Sequence, residues 1–294
     1  MLPTNEPLRP ETRVDSTEFL RVIEPNLVCP ACREPLRLDG HELVGTACGH
    51  RYPVIDGIAR LAILGTEETW KAAPSGAGSG AYQQNYQKVV AAEGYNRAYQ
   101  EKTLKRLSTR RELTLLRDLL GSQGRTRTLL NLPAGGGRLS GPLAETTDLL
   151  VEGDIAVGQL LYGAANRDWA TPEVRMTASA FHIPLRDRGV TGTVCIRLCH
   201  HLPTPEERGR LLAELLRVSD RFVLMTFFDF NSPKNLLRRA RRFIDHNKPK
   251  FTMRVAEVAD IAARNGFTLR QCPWLSMLGS GHRYALLVRN ADGS

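Results

Sequence analysis

Two groups of residues have the types and the spacing to do chemistry. The first is Cys29-Pro-Ala-Cys32, followed by Cys48 and His50. A Cys-x-x-Cys turn presents two thiolates on one side of a tight knuckle, and zinc takes four nitrogen or sulfur ligands in a tetrahedron. Cys48 supplies a third ligand, and His50 or His41 the fourth. The second group lies in Thr128-Leu-Leu-Asn-Leu-Pro-Ala-Gly-Gly-Gly-Arg-Leu139. An apolar strand, Thr128 to Leu132, runs into three consecutive glycines, where backbone bends tightly or touches a ligand closely. Leu149-Leu150-Val151 reads as the next strand, ending near Asp154, nineteen residues beyond Gly135. A nucleotide-binding βαβ unit places a carboxylate on ribose hydroxyls at about this distance. The third glycine of the dinucleotide fingerprint falls on Ser140, which disfavours a nicotinamide oxidoreductase. No lysine followed by Ser or Thr closes the turn, so it is not a P-loop.

The elements that must position these residues alternate between strand and helix. The 294 residues have room for one large domain and one small one. Residues 1–18 read as a polar, disordered tail, 19–64 as a small β-rich domain, and 65–95 as a linker running into a helical cap. Ala72 to Gly80 has the composition of a flexible coil. Helical patterning from Tyr82 to Gly121 keeps Leu104, Leu107, Leu113, Leu115, Leu116, Leu119 and Leu120 on one broad face. After the glycines, Ala156 to Ala165 is a helix candidate, and Val174 to Thr177 and Thr193 to Leu198 are strand candidates. Thr204-Pro-Glu-Glu207 opens a helix by its cap and proline. Arg221 to Thr226 is a further strand. Ser232-Pro233 opens a helix with the apolar stripe Leu236, Leu237, Ala240, Phe243 and Ile244. A helix from Val255 to Asn265 and the strands Phe267 to Gln271 and Tyr284 to Val288 close the chain.

Composition bounds the setting. No run of about eighteen apolar residues is present, so no membrane span is expected, and the first fifteen residues lack a signal peptide's apolar core. Six cysteines, two of them in a Cys-x-x-Cys, point to a reducing, cytoplasmic compartment and a metal site over disulfides. The net charge of +9 is concentrated: between Asn231 and Arg254 eight Lys or Arg face one Asp. Lys234, Arg238, Arg239, Arg241 and Arg242 surround the apolar stripe of that helix. Three readings stay open for them: a grip on a phosphate-bearing substrate such as RNA, contact with an anionic membrane surface, or an ordinary solvated face.

The glycine segment resembles motif I of the class I S-adenosylmethionine-dependent methyltransferases of the type 11 kind, in a Pro-Ala-Gly-Gly-Gly-Arg variant. The resemblance spans about residues 96 to 290. It implies an α/β fold: a Rossmann-like seven-stranded sheet, mostly parallel with the last strand antiparallel, over residues 96–292. It also implies that S-adenosylmethionine rests on Asn131, Pro133, Ala134, Gly135, Gly137, Asp154, Ile155 and the loop Ser179-Ala180-Phe181, with Asp154 on the ribose. Asn131 and Ser179 stand where the family tends to carry acids. Leu198-Cys-His-His-Leu-Pro203 resembles the family's fourth-strand motif, which implies that Arg197, His200 and His201 edge the acceptor cavity, walled by Phe227, Phe228 and Phe230. At most one of the two histidines is expected to face the site.

Cys-Pro-x-Cys, Pro35-Leu36 and Tyr52-Pro-Val-Ile-Asp-Gly-Ile58 resemble the small zinc-binding domains of tRNA- and ribosome-methyltransferase activators. That resemblance implies a structural zinc on Cys29, Cys32, Cys48 and His50. Gly45 stands where the family often has another cysteine, and a zinc-free domain held by its apolar strands is the other reading. The function implied is S-adenosylmethionine-dependent methylation of an unknown acceptor: a phosphate-bearing substrate such as RNA, a lipid or a small metabolite. The alternative is a methyltransferase-like scaffold, without activity, that binds RNA or a protein partner.

Overall fold

Strand β5 (Thr126–Asn131) is buried along its last three residues and lies at the centre of the sheet. The computed structural model describes residues 16–62, 103–241, 251–276 and 280–291. The tail 1–15, the linker, and the cap up to residue 102 lie outside the described residues, as do Arg242, Phe243 and Ile244. Helix α1 (Ser16–Ile23) starts inside the stretch expected to be a tail. Four short strands follow: β1 (Leu36–Asp39), β2 (Glu42–Gly45), β3 (Arg51–Ile55) and β4 (Ile58–Arg60). Each is antiparallel to the one before it.

The rest of the sheet is built from β5, β6 (Thr147–Asp154), β7 (Glu173–Thr177), β8 (Val190–Cys195), β9 (Ser219–Phe228), β10 (Phe267–Gln271) and β11 (His282–Arg289). Their order is β7-β6-β5-β8-β9-β11-β10, with β11 antiparallel to both neighbours. This is the expected seven-stranded, mostly parallel sheet. The fourth strand is displaced from the sequence reading, ending at Cys195 instead of Leu198. Ile196 to Leu198 instead turn the chain out toward the carboxyl edge of the sheet, into a 3-10 turn at Cys199–His201.

The small domain is not a bead on a string. Its β4 pairs parallel with β7, so among the described residues one eleven-stranded sheet runs through both parts. Ile58, Ala59 and Arg60 stand opposite Arg175, Met176 and Thr177. Leu20, Ile23, Leu27 and Leu43 share one apolar cluster with Met176, Ile183 and Leu185. Burying such side chains contributes about 1.5–3 kcal/mol each, so the two parts are held by one shared core.

The sheet is covered on both faces, as parallel strands require. Helix α2 (Thr103–Gly121) lays Leu115, Leu116, Leu119 and Leu120 on Leu129, Leu150 and Phe222. These leucines make α2 a cover for that face of the sheet. Helices α3 (Ser140–Ala144) and α4 (Val157–Ala165) follow β5 and β6. Helix α5 (Pro205–Val218) starts with a complete capping box between Thr204 and Glu207, as its first residues predict. Helix α6 (Pro233–Arg241) follows β9, and α7 (Val255–Arg264) packs beside α5. No helix among the described residues is long and apolar enough to cross a membrane.

Candidate active site and metal centre

The glycine turn sits at the carboxyl edge of the sheet, where open α/β sheets bind ligands. Gly135 and Gly137 have φ of +58° and +80°, a conformation that side chains resist. A Cβ built on Gly135 meets nothing within 4 Å, so the space over the turn is open. Beneath it, Asp154 ends β6 with 6% exposure. The Gly135 N–H donates to its Oδ2 at 2.8 Å and the Ala156 N–H to its Oδ1 at 2.9 Å. Burial pushes this carboxyl above the ordinary aspartate value, while the N–H groups of Ala156, Gly135 and Ile155 pull it back. A carboxylate offers about four lone pairs, so acceptor capacity remains for a diol. The Ala134 N–H is tied to the Gly153 carbonyl at 2.8 Å, which fixes the turn against β6; Pro133 follows Leu132 through a cis peptide.

Asn131 is not alone at its position. Its amide donates to Glu152 Oε2 at 3.2 Å, from the register-paired position on β6. Glu152 is paired in turn with Arg175 on β7, so Asn131, Glu152 and Arg175 form a polar row across three strands. Burial pushes the Glu152 carboxyl up to about 7, against pulls from Ser140, Arg175 and Asn131. The acid that the sequence lacks at 131 is therefore present one strand over. Its signal was there: an acid two residues before Asp154 in an apolar strand shares that side chain's face.

The Ser179 loop is half buried. Ser179 Oγ accepts the Phe181 N–H at 3.3 Å, and Phe181 is covered by the Arg210 guanidinium at 5.6 Å. Ile155 and Ala180 are half buried beside it.

A carboxylate that the sequence reading missed links the edge of the sheet to α2. Glu112, fully buried, receives Arg138 Nη1 at 2.6 Å and Arg197 Nε and Nη2 at 3.2 Å, and it accepts the Tyr284 hydroxyl. Burial works against its charge, but Arg138 and Arg197 win and hold it down to about 2. Glu112 falls at helical spacing from Leu115, Leu116 and Leu119, so a lone acid on an apolar face was the available clue.

At the carboxyl edge beyond β8, His200 is buried and His201 exposed, as expected of neighbours. Yet the 3-10 turn stacks their rings 4.2 Å apart. His200 also packs on Phe228 at 4.5 Å and edge-on to His282 at 5.1 Å. His282, missed in the sequence, completes this cluster. Phe227 lies in the main apolar core, and by strand alternation its neighbour Phe228 faces the edge cluster instead. Phe230 is clamped between Arg239 at 3.8 Å and Arg254 at 4.2 Å. Cys195 and Cys199 are buried packing, and burial pushes the Cys199 thiol up to about 12.

Helix α6 departs from its expected stripe. Leu236 and Leu237 are each 50% exposed. Arg239 donates to the Phe230 carbonyl at 2.6 Å, and Arg238 donates to Asn235 Oδ1 at 2.9 Å while covering Phe228 at 5.3 Å. Two of the cations expected to grip a partner are thus partly engaged within the chain.

At the other end of the molecule the Cys29, Cys32, Cys48 and His50 ligand atoms all lie within 4.8 Å of one another. Tetrahedral zinc with bonds of about 2.3 Å to sulfur draws its ligands in to about 3.8 Å apart, so this donor set fits after small side-chain shifts. Cys29 Sγ lies 3.1 Å from the Tyr52 hydroxyl and 3.4 Å from His50 Nδ1. Burial opposes ionisation of Cys29, yet those two bonds bring the thiol down to about 6. His41, the other fourth-ligand candidate, is not among the converging side chains. A Cβ at Gly45 would stand 2.3 Å from Cys48 Sγ, so the glycine leaves room for that sulfur.

A family model described as Trm112p-like protein matches residues 26–57. A search of the curated proteins finds no match. Among solved structures, magnesium protoporphyrin IX methyltransferase from Synechocystis PCC 6803 with bound SAH is similar, with TM-score 0.62 and 16% identity over 72% of this chain and 100% of that one. The same enzyme with bound SAM gives TM-score 0.57 and 17% identity over 74% and 100%. The chain has the fold of the class I S-adenosylmethionine-dependent methyltransferases, with a Trm112p-like segment ahead of it.

Proposed function

We propose that this protein is an S-adenosylmethionine-dependent methyltransferase with a structural zinc in its N-terminal segment. One observation carries the cofactor assignment: a buried carboxylate, Asp154, held by the Gly135 N–H under an open triple-glycine turn. When bound, S-adenosylmethionine supplies a methyl already activated on a sulfonium. The protein's own residues then have to bind, orient and exclude water. Asp154 receives the ribose hydroxyls, the Ser179-Ala180-Phe181 loop edges the adenine, and Asn131 with Glu152 forms the polar end for the methionine ammonium. Arg197, His200 and Phe228 border the acceptor. Calorimetric titration with S-adenosylhomocysteine tests this: saturable heat supports it. Silence at high ligand concentration would leave the inactive scaffold, a reading that Glu152 already weakens by restoring an acid beside Asn131.

The zinc proposal rests on the converging thiols and imidazole. A reducing, cytoplasmic setting belongs to the same proposal, because oxidised cysteines cannot ligate. Elemental analysis is expected to find one zinc per chain, and Cys29→Ser to lose it. Gly45→Ala is expected to weaken zinc retention, since the new methyl must displace Cys48 Sγ.

For the basic helix, the half exposure of Leu236 and Leu237 favours an anionic membrane surface over RNA, because lipid rewards apolar contact and a phosphate backbone does not. The protein is expected to co-sediment with phosphatidylglycerol-containing vesicles and not with pure phosphatidylcholine. Burying two half-exposed leucines contributes about 2 kcal/mol in all, so L236S/L237S should weaken vesicle binding about thirtyfold. Binding to RNA that survives this double substitution, without vesicle binding, would reverse the choice.

A further inference from the structure

His282 opens β11 at the carboxyl edge of the sheet, opposite Phe228 at the end of β9. It is 7% exposed. Its Nδ1 lies 3.0 Å from Ser280 Oγ, and the same Oγ accepts the His282 backbone N–H at 3.2 Å. The other ring nitrogen, Nε2, is buried and has no hydrogen-bond partner among the described residues. Leaving a buried polar atom unsatisfied costs roughly 1–3 kcal/mol, so the position calls for a ligand atom.

The charges around it say what kind. Among the described residues, the charges of Arg197, Arg238 and Lys234 act on the ring together with the carboxylate of Glu112. Burial first, and then those cations, hold the imidazole neutral, down to about 3. The positive field is felt by its own members too: burial and the nearby Arg238 depress the Lys234 ammonium. The Arg238 guanidinium lies 5.3 Å over the Phe228 ring, whose centroid is 4.2 Å from that of His282. Arg238 is exposed and Lys234 partly exposed, so this positive field opens toward solvent, from which an anion can reach it.

We propose that the methyl acceptor carries an acid group, a carboxylate or a phosphate ester, which docks on Nε2–H of His282 with Lys234 and Arg238 beside it. The Nδ1–Ser280 contact admits either donor, and in the proposed tautomer the Ser280 hydroxyl donates to Nδ1 and the ring proton sits on Nε2. Phe228 and His200 offer flat faces to the apolar body of the same molecule. The inference rests on the methyltransferase reading, since it takes this cluster as the acceptor side, but its test reads a different group.

The test uses histidine-labelled full-length protein, followed by NMR with and without S-adenosylhomocysteine. Benzoate, phenyl phosphate and the neutral benzamide serve as probes. The His282 ring signals should move saturably with one or both anions and not with benzamide. A preference for benzoate identifies a carboxylate acceptor, and a preference for phenyl phosphate identifies a phosphate-bearing one. H282F should weaken the preferred anion by about ten- to a hundredfold, the worth of one hydrogen bond to a charged group. No saturable shift with either anion, or an equal response to benzamide, overturns the proposal. Binding of S-adenosylhomocysteine without an anion response sinks this site and spares the cofactor reading. An anion response without S-adenosylhomocysteine binding supports the site and sinks the cofactor reading instead.

Discussion

Asp154→Ala is expected to weaken S-adenosylhomocysteine by at least about a hundredfold, because under the proposed assignment two ribose hydroxyls would each lose a hydrogen bond to a charged acceptor worth about 1.5–3 kcal/mol. The same carboxylate holds the N–H groups of Gly135 and Ala156, so part of the loss would come from a loosened turn. Asp154→Asn separates the two contributions. It keeps one oxygen for the turn, gives up the charge, and should bind about tenfold more weakly than the parent. Acid should act in the same direction. Burial raises the Asp154 carboxyl, so it takes up its proton at a higher pH than an ordinary aspartate, and cofactor affinity falls as pH drops through that raised value. Folding has the opposite sign. A carboxyl raised on folding favours the native state below its unfolded value, and that contribution is lost as pH rises through the folded one. Calorimetry across an acid series, beside thermal melts of the same samples, checks both signs. Affinity that stays constant while pH falls would place the ribose elsewhere.

How much of this was legible depends on the range of the interaction. The triple glycine, the nineteen-residue step to Asp154, the Cys-x-x-Cys and the Thr204 cap with its proline are local patterns, and the structure brings each together. The seven-strand order was legible only through resemblance, because nothing in a strand's composition says which strand lies beside it. The pairing of β4 with β7 was not legible at all: Ile58 and Arg175 are 117 positions apart, and the small domain reads as independent. Glu112 and His282 were missed for the same reason. Each is an unremarked polar residue in an apolar pattern, and each acquires its partners only when distant elements meet. Leu236 and Leu237 failed in the other direction. Their periodicity fits a buried stripe, yet the fold supplies nothing to cover it among the described residues.

Glu112→Ala is expected to cost about 3–5 kcal/mol of stability, the range for removing one partner of a buried ion pair. The size follows from what would be left behind. Arg138, from the glycine turn, and Arg197, from the end of β8, converge on this one carboxylate, and the Tyr284 hydroxyl donates to it from β11. Without it two guanidiniums face each other in a largely dry space. Arg197 has a second reason to depend on Glu112. Its backbone sits at φ +66°, a left-handed conformation that costs a side-chain-bearing residue about 1–2 kcal/mol. The Arg197 N–H bond to Thr226 Oγ1 at 2.7 Å and the side-chain grip of Glu112 together hold it there. Glu112→Gln should fall between the parent and the alanine variant, since the amide oxygen still accepts but carries no charge. The pH signature is distinctive. Glu112 is depressed on folding, from an ordinary 4.5 to about 2, so its contribution is complete above about 4.5 and drains away as pH falls toward 2. That shift is worth roughly 3 kcal/mol, so the parent should lose stability steeply across this window while Glu112→Gln should lose much less. Parallel denaturant titrations at neutral and acid pH read this directly, and equal acid sensitivity in the two proteins would remove Glu112 from its central place. Because Arg138 ends the glycine turn, the same substitution is expected to weaken the proposed cofactor binding as well, through geometry and not through contact.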